Sequence, residues 1–233
     1  MAAKIVLRKT SLNDYPGRIS SVFFFSGCNL RCPWCHNGEL VLGTSGDLVS
    51  LEEGLAHLKK RRQVLSGVVL SGGEPCLYKE LGELIKEIKK IGLPVKLDTN
   101  GMCHEALEKL FSGKETSPDY IAIDLKIAPE RYVELRGSPE LLIKSAELVK
   151  KSGVAHEYRT IALPASFIGE NDIEALAPLT DGAPWYFRLF RGGNCLDSAW
   201  NNIEEDGKKA FAFAETLAAK ARDLGRNAFA LTS

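Results

Sequence analysis

VVLSGGEP at Val68 to Pro75, then Leu81, Leu84, Ile85 and Ile88, then Gly92 and the run Val95 to Leu97, is the stretch that decides the fold. Val68 to Leu70 are β-formers that run into a Ser-Gly-Gly-Glu-Pro turn, so they read as a short strand. The next four apolar residues recur at helical spacing, and Gly92 stops that helix. Val95 to Leu97 is again strand-like. A strand, a helix and a strand within roughly 30 residues make a βαβ unit, which closes with a right-handed crossover.

Outward from this unit the alternation continues. Toward the C-terminus the pattern predicts a helix around Glu105 to Phe111, a strand Tyr120 to Leu125, a helix Pro139 to Lys151 and a strand Val154 to Leu163. A short helix near Asn171 to Leu176, a strand Trp185 to Phe190 and a long helix from about Glu204 to Leu224 follow. In the last of these, Ala210, Phe213, Ala214, Leu217 and Ala221 form an apolar stripe that reads as core. Toward the N-terminus, Ser50-Leu-Glu-Glu53 reads as a capping box opening a helix to about Arg62. Ile5 to Leu7, the turn-forming Asn13 to Gly17 and Ile19 to Phe25 read as a strand ribbon whose phenylalanines are buried. The expectation is an α/β fold with parallel strands closing into a barrel or a wound sheet. About six βα units are too few for a complete eight-unit barrel. With no linker composition anywhere, residues 1–233 read as a single domain in which 1–25 form an N-terminal strand pair.

The 233 residues are 45% hydrophobic and 26% charged, the composition of a globular protein with a sizeable core. Thirty basic and thirty acidic residues cancel, which argues against nucleic acid or an anionic membrane as partner. Apolar runs such as Val22 to Phe25 are far short of a membrane span, and the start lacks the apolar core of a signal peptide. The chain reads as cytoplasmic.

Cys28, Cys32 and Cys35 fall within eight residues, whereas Cys76, Cys103 and Cys195 are scattered. Thiolates at this spacing can turn onto one soft metal centre. A zinc site would take a fourth ligand, nominally His36, whose adjacency to Cys35 makes joint chelation awkward. Inert buried thiols are a second reading. An iron-sulfur cubane on three cysteines is the third, and it leaves one iron open to a small molecule. In βα folds the chemistry gathers after the strands. Those positions are polar here: Cys28 to Cys35, Ser71 to Glu74, Asp98 to Gly101, Asp124 and Lys126, Arg159 with Ile161, and Arg188 with Arg191.

Cys28, Cys32, Trp34 and Cys35 resemble the Cys-x3-Cys-x2-Cys pattern of the radical S-adenosylmethionine superfamily, with its aromatic residue before the last cysteine. Within it, Asp14 to Gly17, Gly27 to Asn37, Ser71 to Pro75, Asp98 to Gly101 and Asp124 to Lys126 are similar to the glycyl-radical-enzyme activases, such as the pyruvate formate-lyase and anaerobic ribonucleotide reductase activators. Phe190 to Asp197 is similar to a segment of the reductase-activator branch.

The resemblance implies a partial (β/α)6 TIM-like barrel. It implies a [4Fe-4S] cluster on Cys28, Cys32 and Cys35, with the open iron chelating S-adenosylmethionine. Reductive cleavage of that cofactor would yield a 5′-deoxyadenosyl radical, and no protein side chain is expected to be catalytic beyond the cluster and cofactor. Ser71, Gly72, Gly73 and Glu74 would meet the cofactor's amino group, although the same residues could be a plain strand-to-helix turn. Trp34 and His36 would line the adenine through main-chain atoms. Asp98, Thr99, Asp124 and Lys126 would lie beside its carboxylate and ribose, where a monovalent cation can sit between the two aspartates. Arg159 matches a family arginine near the cofactor, and Ile161 would touch adenine. Arg188 and Arg191 stand where the pyruvate formate-lyase activators carry a histidine, which leaves their role open. His57, His104 and His156 read as structural, and Cys76, Cys103 and Cys195 cannot build a further four-cysteine cluster.

The implied activity is hydrogen abstraction from a glycine Cα of a partner glycyl radical enzyme under anaerobic conditions, with flavodoxin or ferredoxin as reductant. Two readings compete: a radical S-adenosylmethionine enzyme acting on a nucleotide or pterin precursor, and a zinc-stabilised binding module without catalysis.

Overall fold

A computed structural model describes residues 4–203 and 206–232. Its elements run β1 (Lys4–Ser11), β2 (Ser20–Phe25), α1 (Gly38–Leu42), β3 (Leu48–Ser50), α2 (Leu51–Arg61), β4 (Gly67–Gly72), α3 (Leu81–Lys90), β5 (Val95–Thr99), α4 (His104–Phe111) and β6 (Tyr120–Asp124). They continue α5 (Pro139–Lys151), β7 (Ala155–Ala162), α6 (Glu170–Leu176), β8 (Trp185–Leu189), α7 (Gly207–Asp223) and β9 (Ala228–Leu231). The chain packs as two compact units. One takes the chain up to Asn29, then Asn37–Thr99 and Cys103–Ile121; the other takes Leu30–His36, Asn100–Met102 and the chain from Ala122.

In the first unit the strand order is β3-β1-β2-β4-β5. β1 runs antiparallel to β2, with Ile5 opposite Phe25, and antiparallel to β3, with Lys4 opposite Ser50. The direction then changes: β2 pairs parallel with β4, and β4 with β5. Phe23, Val68, Val69, Leu70, Val95 and Leu97 are fully buried, as parallel strands covered on both faces require. The capping box at the head of α2 is present in both directions, Glu53 N–H donating to Ser50 Oγ at 3.1 Å and Ser50 N–H to Glu53 Oε2 at 2.8 Å. Gly92, at φ +86°, ends the turn after α3, a conformation that costs a residue with a Cβ.

In the second unit the order is β6-β7-β8-β9, with β8 parallel to both β7 and β9. Trp185 is fully buried, and its indole N–H donates to Thr160 Oγ1 at 2.9 Å. The Thr160 hydroxyl donates in turn to the Leu125 carbonyl at 2.6 Å, so this buried polar pair is satisfied. Ala210, Ala214, Leu217 and Ala221 of α7 are buried as the stripe predicts, and Phe213 is half-buried.

The expected α/β architecture with parallel strands and an antiparallel N-terminal extension is therefore present. That extension has three strands rather than two, because β3 is only three residues long and carries no readable period. The terminal strand β9 was not expected either, its four residues being too few to show alternation. The predicted start of the last helix at Glu204 lies outside the described residues; α7 runs from Gly207, with the Asp206 carboxylate accepting from Lys208 N–H at 2.9 Å. No helix among the described residues is long and apolar enough to cross a membrane.

Candidate cofactor site

In the first unit the Ser71 to Glu74 turn is held by main chain. Gly73 N–H donates to the Phe25 carbonyl at 2.8 Å, Glu74 N–H to the Gly27 carbonyl at 2.8 Å, and Gly27 N–H to the Leu40 carbonyl at 2.7 Å. The turn is thereby stitched to the segment entering Cys28. A Cβ on Gly73 would lie 1.9 Å from the Gly27 oxygen, an approach only glycine permits. Glu74 is buried and accepts on Oε1 from the Thr99 hydroxyl at 2.9 Å and from Cys76 N–H at 3.0 Å. Asp98 accepts on Oδ2 from the Ser71 hydroxyl at 3.1 Å and on Oδ1 from the Lys96 ammonium at 2.5 Å. The fold thus brings together Ser71, Gly72, Gly73, Glu74, Asp98 and Thr99, and adds Lys96, which the sequence reading passed over. Residues two apart on a strand share a face, a spacing that could have flagged the Lys96–Asp98 pair. Beside this cradle, Asn29 Nδ2 donates to Cys103 Sγ at 3.3 Å. Burial, reinforced by the charges of Glu74 and Cys28, pushes the Cys103 thiol up to about 12.

In the second unit the loop Leu30–His36 is held by side chains as well as backbone. Arg31 N–H donates to the Leu135 carbonyl and Leu196 N–H to the Cys35 carbonyl, each at 2.9 Å, while Asp197 N–H donates to the Pro33 carbonyl at 2.9 Å. Trp34 is buried, its ring centroid 5.1 Å from Phe167 and 5.5 Å from Trp200. Phe190 lies 5.6 Å from Trp200 and 5.9 Å from His36. The Trp34 side chain is therefore a packing anchor, and Phe167 and Trp200 are partners that no local spacing could reveal.

Asp124 collects two cations in the same unit. Arg159 places Nε and Nη2 each 2.9 Å from Oδ1, and Lys126 Nζ lies 3.2 Å from Oδ2. Burial opposes the charged carboxylate, but Arg159 and then Lys126 outweigh it and hold the carboxyl well below its usual range. Burial likewise opposes the Lys126 ammonium, yet Asp124, with Cys32 and Cys35 adding to it, keeps Lys126 firmly protonated. Tyr132, unremarked in the sequence, accepts on its hydroxyl from Lys126 N–H at 2.9 Å and is itself buried. Ile161 pairs in register with Arg188, whose Nε is buried without a hydrogen-bond partner. Arg191 donates to the Thr232 carbonyl at 3.0 Å.

Residues 22–177 match the Radical SAM superfamily. The chain belongs to it. A candidate glycyl-radical enzyme activating enzyme of Methanocaldococcus jannaschii is 36% identical over 221 residues, covering 88% of this chain and 90% of that protein. A 7-carboxy-7-deazaguanine synthase of Aquifex aeolicus is 33% identical over 132 residues, 56% of this chain and 55% of the relative. A pyruvate formate-lyase-activating enzyme of Clostridium pasteurianum is 34% identical over 125 residues, 52% of this chain and 50% of the relative. The crystal structure of QueE from Escherichia coli is similar over 100% of this chain and 95% of its own, with a TM-score of 0.63 at 18% identity, a likeness that shows the shared fold.

Membership implies a [4Fe-4S] cluster and S-adenosylmethionine. Among the described residues no three His, Cys, Asp or Glu side chains converge into a group able to hold a metal ion. The chemistry of the donors fits the cluster nonetheless: Cys28, Cys32 and Cys35 are cysteines outside any disulfide within one short stretch of chain, and Cys32 and Cys35 lie beside the positive charge of Lys126. The remaining cysteines are held elsewhere, Cys76 with its sulfur 3.6 Å from Thr99 Oγ1, Cys103 on Asn29, and Cys195 with its N–H on Asn201 Oδ1 at 2.6 Å.

Proposed function

We propose that this chain is a glycyl-radical-enzyme activase and that residues 1–233 work as one radical S-adenosylmethionine domain. The observation that carries the reading is the 36% identity, along nearly the full length of both chains, to a candidate enzyme of that kind. Cys28, Cys32 and Cys35 are the cluster ligands in this reading. Bound there, the cluster and S-adenosylmethionine would together supply the reductive S–C5′ cleavage and the abstraction of hydrogen from a glycine Cα of the partner.

The protein's own share is to bind and orient. The Ser71 to Glu74 turn, rigid through its main-chain bonds, presents backbone to the cofactor's amino group. Lys126, held protonated, meets the carboxylate, while Asp98, Thr99, Asp124 and Arg159 set the cradle around the ribose and carboxylate. Ile161 and the main chain of Trp34 and His36 take the adenine. The partner is a glycyl radical enzyme of the anaerobic ribonucleotide reductase or pyruvate formate-lyase type, the reductant is a flavodoxin or ferredoxin, and the compartment is an anaerobic cytoplasm.

The identity to a 7-carboxy-7-deazaguanine synthase favours a second reading, in which a small heterocycle is the substrate. Anaerobic mixing with candidate partners separates the two. The activase yields a doublet electron paramagnetic resonance signal that collapses when the partner's glycine is deuterated at Cα. Absence of that signal from every glycyl radical enzyme of the same genome, with a pterin or nucleotide precursor consumed in step with 5′-deoxyadenosine release, establishes the second reading instead.

A further inference from the structure

The Lys96 side chain is 1% exposed and Asp98 is 11% exposed, and their 2.5 Å contact is a buried ion pair. Lysine is rarely buried without a strong reason, because removing its ammonium from water costs several kcal/mol unless an opposite charge compensates. Here the compensation falls on the carboxylate that also accepts from Ser71, the first residue of the turn assigned to the cofactor. Asp98 thus has one oxygen on Lys96 and the other on Ser71. Asp124, in its own unit, has one oxygen on Arg159 and the other on Lys126. Each oxygen of Asp98 and of Asp124 already accepts from a protein donor, and three of those four donors are cations, whose charge opposes an alkali ion. The residues therefore do not fit the monovalent cation that the family resemblance allows at the two aspartates.

We propose that Lys96 is the resident counter-ion of the cofactor site, fixing Asp98 and through it the Ser71 hydroxyl, so that S-adenosylmethionine binding needs no added Na⁺ or K⁺. The proposal rests on the assignment of this cradle to S-adenosylmethionine. A lysine suits the task because its ammonium is a compact point charge with three donors, carried on a stem that the core can cover. Lys96 is a positioning residue: it acts on the cofactor through Asp98.

The test uses the anaerobically reconstituted protein and reads equilibrium S-adenosylmethionine affinity in NaCl, KCl and tetramethylammonium chloride at equal ionic strength. The wild type should bind equally in all three. Lys96→Ala leaves a charged carboxylate and a small space, so its affinity should fall about tenfold in tetramethylammonium and recover several-fold in KCl or NaCl. Lys96→Arg, which keeps the charge, should behave as the wild type toward the salts. A second readout needs no cofactor: the melting temperature of Lys96→Ala should rise when K⁺ replaces tetramethylammonium, and that of the wild type should not. Cation dependence in the wild type, or an Ala variant that is unaffected or is weakened without rescue by either ion, overturns the proposal. If the wild type binds no S-adenosylmethionine at all, the functional assignment fails, and the melting temperatures still decide whether Lys96 occupies a cation position.

Discussion

The turn Ser71 to Glu74 and the loop Leu30–His36 both carry candidate cofactor residues, yet different forces hold them. The turn is main chain against main chain, with two backbone hydrogen bonds to the segment Phe25 to Gly27 and no space for a Cβ at Gly73. The loop has backbone hydrogen bonds to Leu135, Leu196 and Asp197 and is anchored in addition by rings, Trp34 against Phe167 and Trp200, while the Lys126–Asp124 ion pair belongs to the same unit. A backbone approach of this kind tolerates nothing, since the intruding atom cannot rotate away. Ring packing and ion pairs lose free energy by degrees.

The sharpest break is Gly73→Ala. With a Cβ 1.9 Å from the Gly27 oxygen, the turn must separate from the segment entering Cys28. The expected cost is about 4 kcal/mol or more, read by urea denaturation, with loss of iron uptake on reconstitution. A soluble variant of unchanged midpoint would show that the turn yields easily.

Trp34→Ala should cost less, about 3 kcal/mol, because a large buried ring leaves a cavity that Phe167 and Trp200 partly refill. Trp34→Phe should cost only about 1 kcal/mol. Equal losses in the two variants would mean that ring packing is not what holds the loop.

Asp124→Asn tests the charges. The carboxyl is depressed in the folded state, so its contribution is present above the ordinary carboxylate value of about 3.9 and is lost as pH falls toward its lower folded value. With 29% of the carboxylate side chain exposed, the expected destabilisation at pH 7 is about 2 kcal/mol, below that of a fully buried pair. The variant should also show a flatter decline of stability with acid below that ordinary value. Parallel acid limbs in variant and wild type would remove Asp124 from the account.

The smallest effect belongs to Ser50→Ala, about 1 kcal/mol, since a cap satisfies one helix N–H that water can also serve. Its urea midpoint should shift slightly with iron uptake intact. Loss of iron uptake would tie α2 to the cofactor loop in a way its capping does not explain.

The site was legible in the sequence wherever chemistry is local. The cysteine spacing, the Gly-Gly turn and the Asp124 and Lys126 pair are short-range patterns, and the last of these meets in the structure as an ion pair at 3.2 Å. Lys96 escaped because a charged residue inside a β-run reads as a solvated face until both faces of the strand are known to be covered. Trp34 was readable as a loop aromatic, but its partners Phe167 and Trp200 lie far along the chain.

By itself the sequence determined the alternation of strands and helices, the capping box of α2 and a candidate set of thiol ligands, because hydrogen-bond periods, caps and motif spacings act over a few residues. The tertiary structure decided that β3 joins the N-terminal strands, that Asp98 is matched by Lys96 and Asp124 by Arg159, and that Phe167 and Trp200 pack on Trp34. Those pairings depend on burial and on contacts between distant segments, where the competing partners differ by less free energy than any local pattern records.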